Sequence, residues 1–431
     1  MTIFNTYARR VKHYIADSFH AVEPSTCAQL SQLDEGLLPS LVSIVITFRG
    51  DPSPHLGLMP YYLRSNMISS FRCELTDRIH GRSLGSCVSA FLKSSSSQKL
   101  HCLALRGALS QAYSPSLSAF HSLRSVTLWL SSESWTYDVI HALSSLPQLV
   151  DVHFTFDLSD SIPKVALAHT AFSTLTSLSL AGKIPWIYYI LDSITGVRLE
   201  SITINHYSCV YNHTNALDHA RLYRSLSRFT LLRSFKQLIE NWAKDTFQPC
   251  VDSASIVQSF LGFAYLEHLQ VSILQQWFQI TDADISALAA ACPSLKVLRL
   301  IIIPSPFTPL PPLQPTPFAL CAIAKECPHL TDLSITLVSM DMQTLLSLPV
   351  PKKPSPLQNL DLQNTMIQNP QVISRFLDSL FPVLKSVTAW GSKIIQISDI
   401  IFGICQPVRD IQRIRDFEDM KALIVTFKST P

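Results

Sequence analysis

The sequence predicts an α/β fold made of tandem strand–turn–helix units, and three features of its 431 residues support this prediction. An apolar template, L-x-x-L-x-L, recurs along most of the chain. The spacing between its copies is short and nearly regular. Between copies, the apolar period changes from two residues, which is typical of a strand, to about 3.6 residues, which is typical of an amphipathic helix.

The template predicts where the strands lie. Clear copies begin at Leu100, Leu123, Leu149, Leu175, Leu199, Leu266, Leu295, Leu330, Leu357 and Leu384. Weaker copies begin at Val11, Leu41, Ile68 and Met420. Successive clear copies are 23, 26, 26, 24, 67, 29, 35, 27 and 27 residues apart. All but the 67 and the 35 lie in or near the period of about 20 to 29 residues that is typical of leucine-rich repeats.

Two further offsets keep the same phase. Before four copies, an apolar residue and then a proline occur, at Leu146-Pro147, Cys292-Pro293, Cys327-Pro328 and Phe381-Pro382. Proline ends a helix and favours an extended backbone. Seven residues after the start of four copies, a residue that tolerates a left-handed turn occurs, at Gly107, Gly182, Asn364 and Gly391. The template, the proline before it and the turn residue after it keep a constant spacing, which indicates a true repeat.

The segments between strands are predicted to be helices. Apolar residues recur there with helical spacing, as at Ile285, Leu288, Ala289 and Cys292, at Leu320, Ile323, Ala324 and Cys327, and at Ile373, Phe376, Leu377 and Leu380. One such unit cannot bury its own apolar face, so neighbouring units must stack. We therefore expect residues 1–431 to form a single leucine-rich-repeat solenoid of about 11 to 14 repeats, with a parallel concave sheet and helices on the convex side.

One gap interrupts the repeat. Residues Asn215 to Trp242 contain no glycine or proline and carry apolar residues with helical spacing. We expect residues 205–265 to hold a helical insertion or irregular repeats, with one long helix favoured. The alternative is a hidden strand that includes Leu226, Phe229 and Leu231.

Two segments resemble a known family. ITDADISALAAACPSLKVLRL from Ile280 and AIAKECPHLTDLSI from Ala322 resemble the cysteine-containing repeats of F-box leucine-rich-repeat proteins. YARRVKHYIAD from Tyr7 and GLLPSLVSIVI from Gly36 resemble the start of the repeats in fungal F-box-type proteins. In that family an N-terminal F-box binds the adaptor of a cullin ubiquitin ligase, and the repeats hold the substrate.

The F-box itself is not evident in this chain. After Leu38-Pro39, Ser40 and Leu41 replace the polar and acidic pair of the family, and VITFRGDPSP has the pattern of a strand and a turn. The resemblance therefore implies the repeat fold and a protein partner. A substrate receptor of a cullin-type ubiquitin ligase, with its F-box missing or degenerate and with ligase components as partners, is the alternative function.

Composition and charge exclude several classes of protein. With 47% hydrophobic and 15% charged residues, the chain can bury a large core. A net charge of +3 does not indicate the strongly basic surface that binds nucleic acid. The longest apolar runs, Leu41 to Phe48 and Val297 to Ile303, are too short to cross a bilayer, and no signal peptide is visible. We expect an intracellular protein, cytoplasmic or nuclear, that binds neither nucleic acid nor membrane.

Two patterns point to chemistry, and we weigh each against a simpler interpretation. Residues Gly81 to Gly85 match G-x-S-x-G, the nucleophile elbow, with Ser83 at the centre. The chain has 11 glycines and no Gly-Gly pair with which to build an oxyanion hole, and a strand-to-helix turn explains the motif. His206, Cys209, His213 and His219 are zinc-ligand types, but their spacing is not the paired spacing of structural sites. We predict no enzyme, no metal and no cofactor, with a serine hydrolase as the remaining alternative.

Two further features could form secondary surfaces. Arg221, Arg224, Arg228 and Arg233 would make the inserted helix basic, which is most simply a solvated face. Residues 304–317 and 349–356 are proline-rich loops with P-x-x-P spacing, which we interpret as loop insertions rather than as ligands of a proline-binding domain.

The binding residues are expected between the leucines. Side chains alternate along a strand, so the residues that flank the core positions face the concave side. The large or charged residues at these positions are Trp129, His153, His268, Arg299, Asp332, Asp361, Gln363 and Trp390. For the two tryptophans, the alternative is that they only pack on adjacent repeats. Most other outward positions are small or neutral. The sequence therefore predicts a protein-interaction module that binds a partner of unknown identity through a few anchors.

Overall fold

We analysed a computed structural model of the chain. It describes residues 6–17, 38–48, 65, 67–75, 99–107, 117–130, 137–156, 171–194, 198–208, 216–241, 253–274, 280–303, 314–338, 345, 348, 355–363, 365 and 370–390. The chain divides into two compact units, Met1–Leu199 and Glu200–Pro431, and each unit is described separately.

The first unit contains seven parallel strands that lie side by side in chain order. They are β1 (His13–Asp17), β2 (Ser43–Phe48), β3 (Ser70–Leu75), β4 (Cys102–Gly107), β5 (Ser125–Leu130), β6 (Asp151–Phe156) and β7 (Ser177–Gly182). The described residues of this unit include two helices, α1 (Tyr137–Ser144) and α2 (Ile184–Ser193). Each helix follows one strand and precedes the next, which is the arrangement that the sequence predicts.

The second unit repeats this plan with seven more parallel strands in chain order. They are β8 (Ser201–Ser208), β9 (Ser234–Asn241), β10 (His268–Leu274), β11 (Val297–Ile303), β12 (Asp332–Ile335), β13 (Asn359–Gln363) and β14 (Ser386–Trp390). The helices in its described part are α3 (Ala216–Leu226), α4 (Ser253–Phe260), α5 (Asp282–Ala291), α6 (Phe318–Glu326) and α7 (Pro370–Leu380).

A repeated hydrogen-bond pattern sets the register of neighbouring strands. Two consecutive amides at the start of one strand donate to a single carbonyl that precedes the strand before it. The amides of Lys296 and Val297 donate to Glu267 O at 2.8 and 3.0 Å, and those of Thr331 and Asp332 donate to Lys296 O at 2.9 and 3.1 Å. Equivalent positions of successive repeats therefore lie side by side and form rows across each sheet.

The core lies on one face of each sheet. The second and fourth strand positions are buried, for example Val126 and Leu128 in β5 or Leu298 and Leu300 in β11. Strand-to-strand connections through a helix are nearly always right-handed, so strands in chain order place their helices on the same face. In the first unit Trp186 of α2 stacks on Phe156, with ring centroids 5.0 Å apart. The template leucines are therefore core residues, as the sequence predicts.

The turns agree with the sequence offsets where the structure describes them. Gly107 and Gly182 have φ angles of 136° and 144°, in the region that favours glycine. A Cβ on Gly182 would lie 2.9 Å from Cβ of Phe156, so a larger residue would also clash. Helices α5 and α6 end just before Cys292-Pro293 and Cys327-Pro328. Asn364, Gly391 and the weak copy at Met420 lie outside the described residues.

Two hydrogen-bonded contacts determine where α5 begins and how it meets the next repeat. Thr281 caps the helix, since its hydroxyl accepts from Asp284 N while the Asp284 carboxylate accepts from Thr281 N. In the first turn, the Asp282 carboxylate accepts from the amide and the hydroxyl of Thr316, at 2.8 and 2.7 Å. The threonine and aspartates of the ITDAD segment thus have structural roles.

The prediction of one long helix over residues 215–242 is wrong. Helix α3 ends at Leu226, and residues 234–241 form β9, which pairs with β8 and β10. A hidden strand does exist, but the repeat begins at buried Leu232 rather than at Leu226. The four arginines consequently do not share one helix, because only Arg221 and Arg224 lie in α3.

The α/β class and the parallel strand order are thus confirmed for each unit. The horseshoe shape and the single continuous solenoid remain predictions. No helix in the described ranges is long and apolar enough to span a membrane. Residues 304–313, residues 349–354 and the Gly81–Gly85 motif with Ser83 lie outside the part of the chain that the structure describes.

Candidate functional site

The face of each sheet opposite the core carries the first, third and fifth residues of the strands, and we call it the outer face. Register pairs define its rows. In the first unit Arg106 pairs with Trp129, and Thr127 pairs with His153. In the second unit Arg299 pairs with Ser334, and Gln363 pairs with Trp390. All eight sequence-predicted positions belong to these rows.

Trp129 is the most prominent predicted residue in the first unit. It lies in the fifth row on β5, and 47% of its surface is exposed. The guanidinium carbon of Arg106, on the neighbouring strand, lies 3.8 Å from the centroid of the Trp129 ring. This distance is typical of a cation–π contact. Sequence reasoning missed Arg106, although alignment of the repeats places it at the same position as Trp129.

Glu74, the next residue in this row, binds Arg72 rather than Arg106. Glu74 on β3 pairs in register with Arg106, but its Oε1 accepts a hydrogen bond of 2.7 Å from Arg72 Nε on its own strand. Among the described residues, no carboxylate lies within ion-pair distance of Arg106. Arg106 therefore stacks on Trp129 and has no charged partner in the part of the chain that the structure describes.

His153 lies in the third row on β6 and is half-buried. Burial lowers the pKa of its imidazole below the usual 6.5, while the nearby charge of Asp151 acts in the opposite direction. The Asp151 carboxylate accepts a hydrogen bond of 3.0 Å from Ser125. The lowered pKa favours the uncharged imidazole, which can both donate and accept a hydrogen bond.

Asp361, one of the predicted residues of the second unit, belongs to a polar network across β12, β13 and β14. Asp361 accepts hydrogen bonds from Ser334 and Thr388 on the two neighbouring strands, both at 3.0 Å, and from Gln363 at 2.9 Å. Three donors thus hold this carboxylate in place. The hydrogen bond to Asp361 also orients the side chain of Gln363, so both predicted residues are held by polar neighbours.

Asp332 forms a second network in the first row. It accepts from Asn359 Nδ2 at 2.8 Å and from the hydroxyl of Thr331 at 2.7 Å. Asn359 in turn accepts from Ser386 at 2.8 Å. All these donors are neutral, so the negative charges of Asp332 and Asp361 are not cancelled by them.

Basic residues occupy the neighbouring strands of the same face. Arg299 on β11 is exposed, and no carboxylate in the described part of the chain lies within ion-pair distance of it. Half-buried His268 lies in the first row of β10, and exposed Lys236 lies in the third row of β9. Sequence reasoning missed Lys236 because its strand was assigned to a helix. The outer face of this unit therefore changes from basic to acidic between β11 and β12.

The structure brings together four predicted residues, Arg299, Asp332, Asp361 and Gln363, on three adjacent strands. The backbone of Trp390 pairs with that of Gln363, whereas its side chain lies outside the described residues. Trp129 and His153 lie on neighbouring strands of the other unit.

Four charged residues, each just before one of the strands β8 to β11, form ion pairs with one another, and we call this row the charged ladder. Arg233 lies 3.8 Å from Glu200 and 3.5 Å from Glu267, and Glu267 also binds Lys296. The hydrogen bond from Lys296 is the main cause of the lowered pKa of Glu267. Because opposite charges alternate here, we interpret this ladder as a link between repeats rather than a binding site.

The residues considered as zinc ligands are either buried or outside the described residues. Of the zinc-ligand types, His206 is buried in β8, whereas Cys209, His213 and the side chain of His219 are outside the described residues. Within the described ranges, no three histidine, cysteine or acidic residues are placed to hold a metal ion. Burial raises the pKa of Cys292 and Cys327 to about 12, so these thiols stay protonated in the core.

Comparison with known proteins does not assign the chain. The sequence matches no family model, and it matches no curated protein.

Proposed function

We propose that this protein is an interaction module that binds a partner protein on the outer face of its strands, and that it does not act as an enzyme. In a leucine-rich-repeat horseshoe this face would be concave. The observation that carries the proposal is the exposed Trp129 stacked against Arg106. Tryptophan and arginine are among the residues most enriched where binding energy concentrates at protein interfaces.

The surroundings of these residues support this assignment. Trp129 stands beside small or neutral positions such as Ala104, Ser125 and Thr127, and Arg299 pairs in register with the neutral Gln270 and Ser334, so a partner can reach both residues. Their outward position means that they add little to the core. Binding can therefore depend on them while folding does not.

Affinity purification with quantitative mass spectrometry tests the proposal. Proteins recovered with the wild-type chain should be lost with Trp129→Ala and with Arg299→Glu. We expect about a 30-fold loss of affinity, which corresponds to roughly 2 kcal/mol for one anchor. The melting temperature of each variant should stay close to that of the wild type. Recovery of cullin-ligase subunits would favour the substrate-receptor role.

Arg224→Glu is the matched control. Arg224 is exposed on α3, so the same charge reversal is made on a helix rather than on the outer face. It should leave capture unchanged. If Arg224→Glu abolishes capture while Trp129→Ala and Arg299→Glu bind normally, the helices rather than the outer face hold the partner, and the proposal is wrong.

A further inference from the structure

Arg106 is oriented by its contact with Trp129 in a way that leaves its hydrogen-bond donors available. Its guanidinium carbon lies 3.8 Å from the ring centroid, a separation that suits a guanidinium stacked with its face on the ring. The N–H groups point outward in the plane of the guanidinium and suit a carboxylate, which can accept two parallel hydrogen bonds. Stacking also restricts the side chain before any ligand binds, and this lowers the entropy cost of binding.

Among the described residues, the local charge balance leaves Arg106 uncompensated. Arg72 and Arg106 flank one carboxylate, that of Glu74, and Glu74 bonds to Arg72. These three side chains together carry one net positive charge. The surface therefore complements a single negative group better than a neutral one.

On β4 and β5, the outer-face positions between the strand starts and the pair Arg106 and Trp129 carry small side chains. The third row holds Ala104 beside Thr127, and the first row holds Cys102 beside Ser125. All four side chains are short. An incoming side chain can approach Arg106 over them without displacing a large residue.

We infer that Arg106 and Trp129 bind an acidic segment of the partner protein, with an aspartate or glutamate on Arg106 and an apolar neighbour on Trp129. This inference rests on the proposed function, because it gives the chemistry of the partner at the same outer face. A peptide is favoured over nucleic acid because the described residues of this site include one unpaired cation, whereas binding a phosphate backbone takes several.

Selection from a randomised dodecapeptide phage library on the full chain tests this inference. Wild-type protein should enrich peptides that contain aspartate or glutamate next to an apolar residue. Arg106→Gln should lose this enrichment, since glutamine keeps hydrogen-bonding capacity but not charge. Arg224→Gln, the same change at an exposed arginine on α3 away from the outer face, should retain it.

Fluorescence anisotropy with the most enriched peptide then measures the effect. Changing its acidic residue to the amide, or changing Arg106 to Gln, should each weaken binding about tenfold or more. The two changes combined should weaken it little further. Arg106→Glu should bind a lysine-substituted peptide better than the acidic one. An oligonucleotide or a phosphopeptide that binds more tightly through Arg106 than the acidic peptide would overturn the inference.

The outcomes separate this inference from the proposed function. If the library gives no acidic enrichment, or if Arg106→Gln retains it, the inference is wrong. The affinity purification with Arg299→Glu and Arg224→Glu does not depend on Arg106, so the proposed function can survive that result. If Trp129→Ala and Arg299→Glu both still capture the partner, the proposed function itself is wrong.

Discussion

At the scale of single residues, His153 shows how the outer face can respond to pH. Its imidazole is half-buried, and burial is the main cause of its lowered pKa. In the unfolded chain the same group has a pKa of about 6.5. Protonation is therefore less favourable in the folded state than in the unfolded state.

We predict that His153→Gln makes the stability less dependent on pH. In the wild type, the unfolded state takes up the proton more readily below about pH 6.5, so the free energy of unfolding falls as pH decreases towards the lower pKa of the folded state. This loss should be smaller in the variant. Urea unfolding at several pH values between about 7.5 and 5 measures it. The matched control is exposed His121→Gln, and equal slopes for wild type and His153→Gln would contradict the prediction.

The individual anchors could be predicted only in part. The alternation of strand residues correctly places Trp129 and Arg299 on the exposed side. It does not show that Asp361 is held by three donors, since Ser334 and Thr388 lie 27 residues before and after it in the sequence. Nor does it distinguish Arg233, which forms ion pairs, from Arg106, which has no charged partner among the described residues, because pairing depends on neighbouring strands.

At the scale of secondary-structure elements, the missed repeat has a physical explanation. In β9 the fourth position, where other strands carry leucine or another apolar residue, is Gln237. Gln237 is buried, and its Oε1 accepts a hydrogen bond of 2.7 Å from the hydroxyl of Tyr223 in α3. A pattern based on apolar residues cannot detect a core position that is satisfied by a polar pair.

We predict that Tyr223 and Gln237 are energetically coupled. Tyr223→Phe leaves the buried Oε1 of Gln237 without its donor, and its Nε2 already has no partner in the described structure. This variant should lose about 1–3 kcal/mol of stability. The double variant Tyr223→Phe with Gln237→Leu restores an apolar pair and should be close to the wild type or more stable.

Urea unfolding of the four proteins in this double-mutant cycle measures the coupling. Gln237→Leu alone is the reference for the removal of the amide. If the double variant is less stable than Tyr223→Phe, the two side chains do not act as a pair, and the leucine does not fit at this position.

At the scale of the whole chain, the regular spacing of leucines correctly predicted the strand order within each unit. The reason is local: each strand pairs with the strands of its neighbouring repeats, through the same pair of amides. The weak copies at Val11, Leu41 and Ile68 also precede strands, so apolar substitution does not disrupt the pattern. Properties that depend on many repeats together, such as curvature, leave no comparable signal in any one repeat.

Nearest-neighbour contact predicts that damage to one repeat of the second unit spreads gradually. Leu298 is fully buried in β11, between Leu269 and Leu333 in register, and Leu298→Ala should cost about 2–5 kcal/mol. In a stacked repeat array the loss is shared mainly with adjacent repeats. Hydrogen exchange followed by mass spectrometry should therefore show the largest loss of protection in β10, β11 and β12 and a smaller loss in β8 and β14. Arg299→Ala, an exposed change next to Leu298, should leave protection unchanged, whereas an equal loss in all seven strands would show that the unit unfolds as one cooperative body.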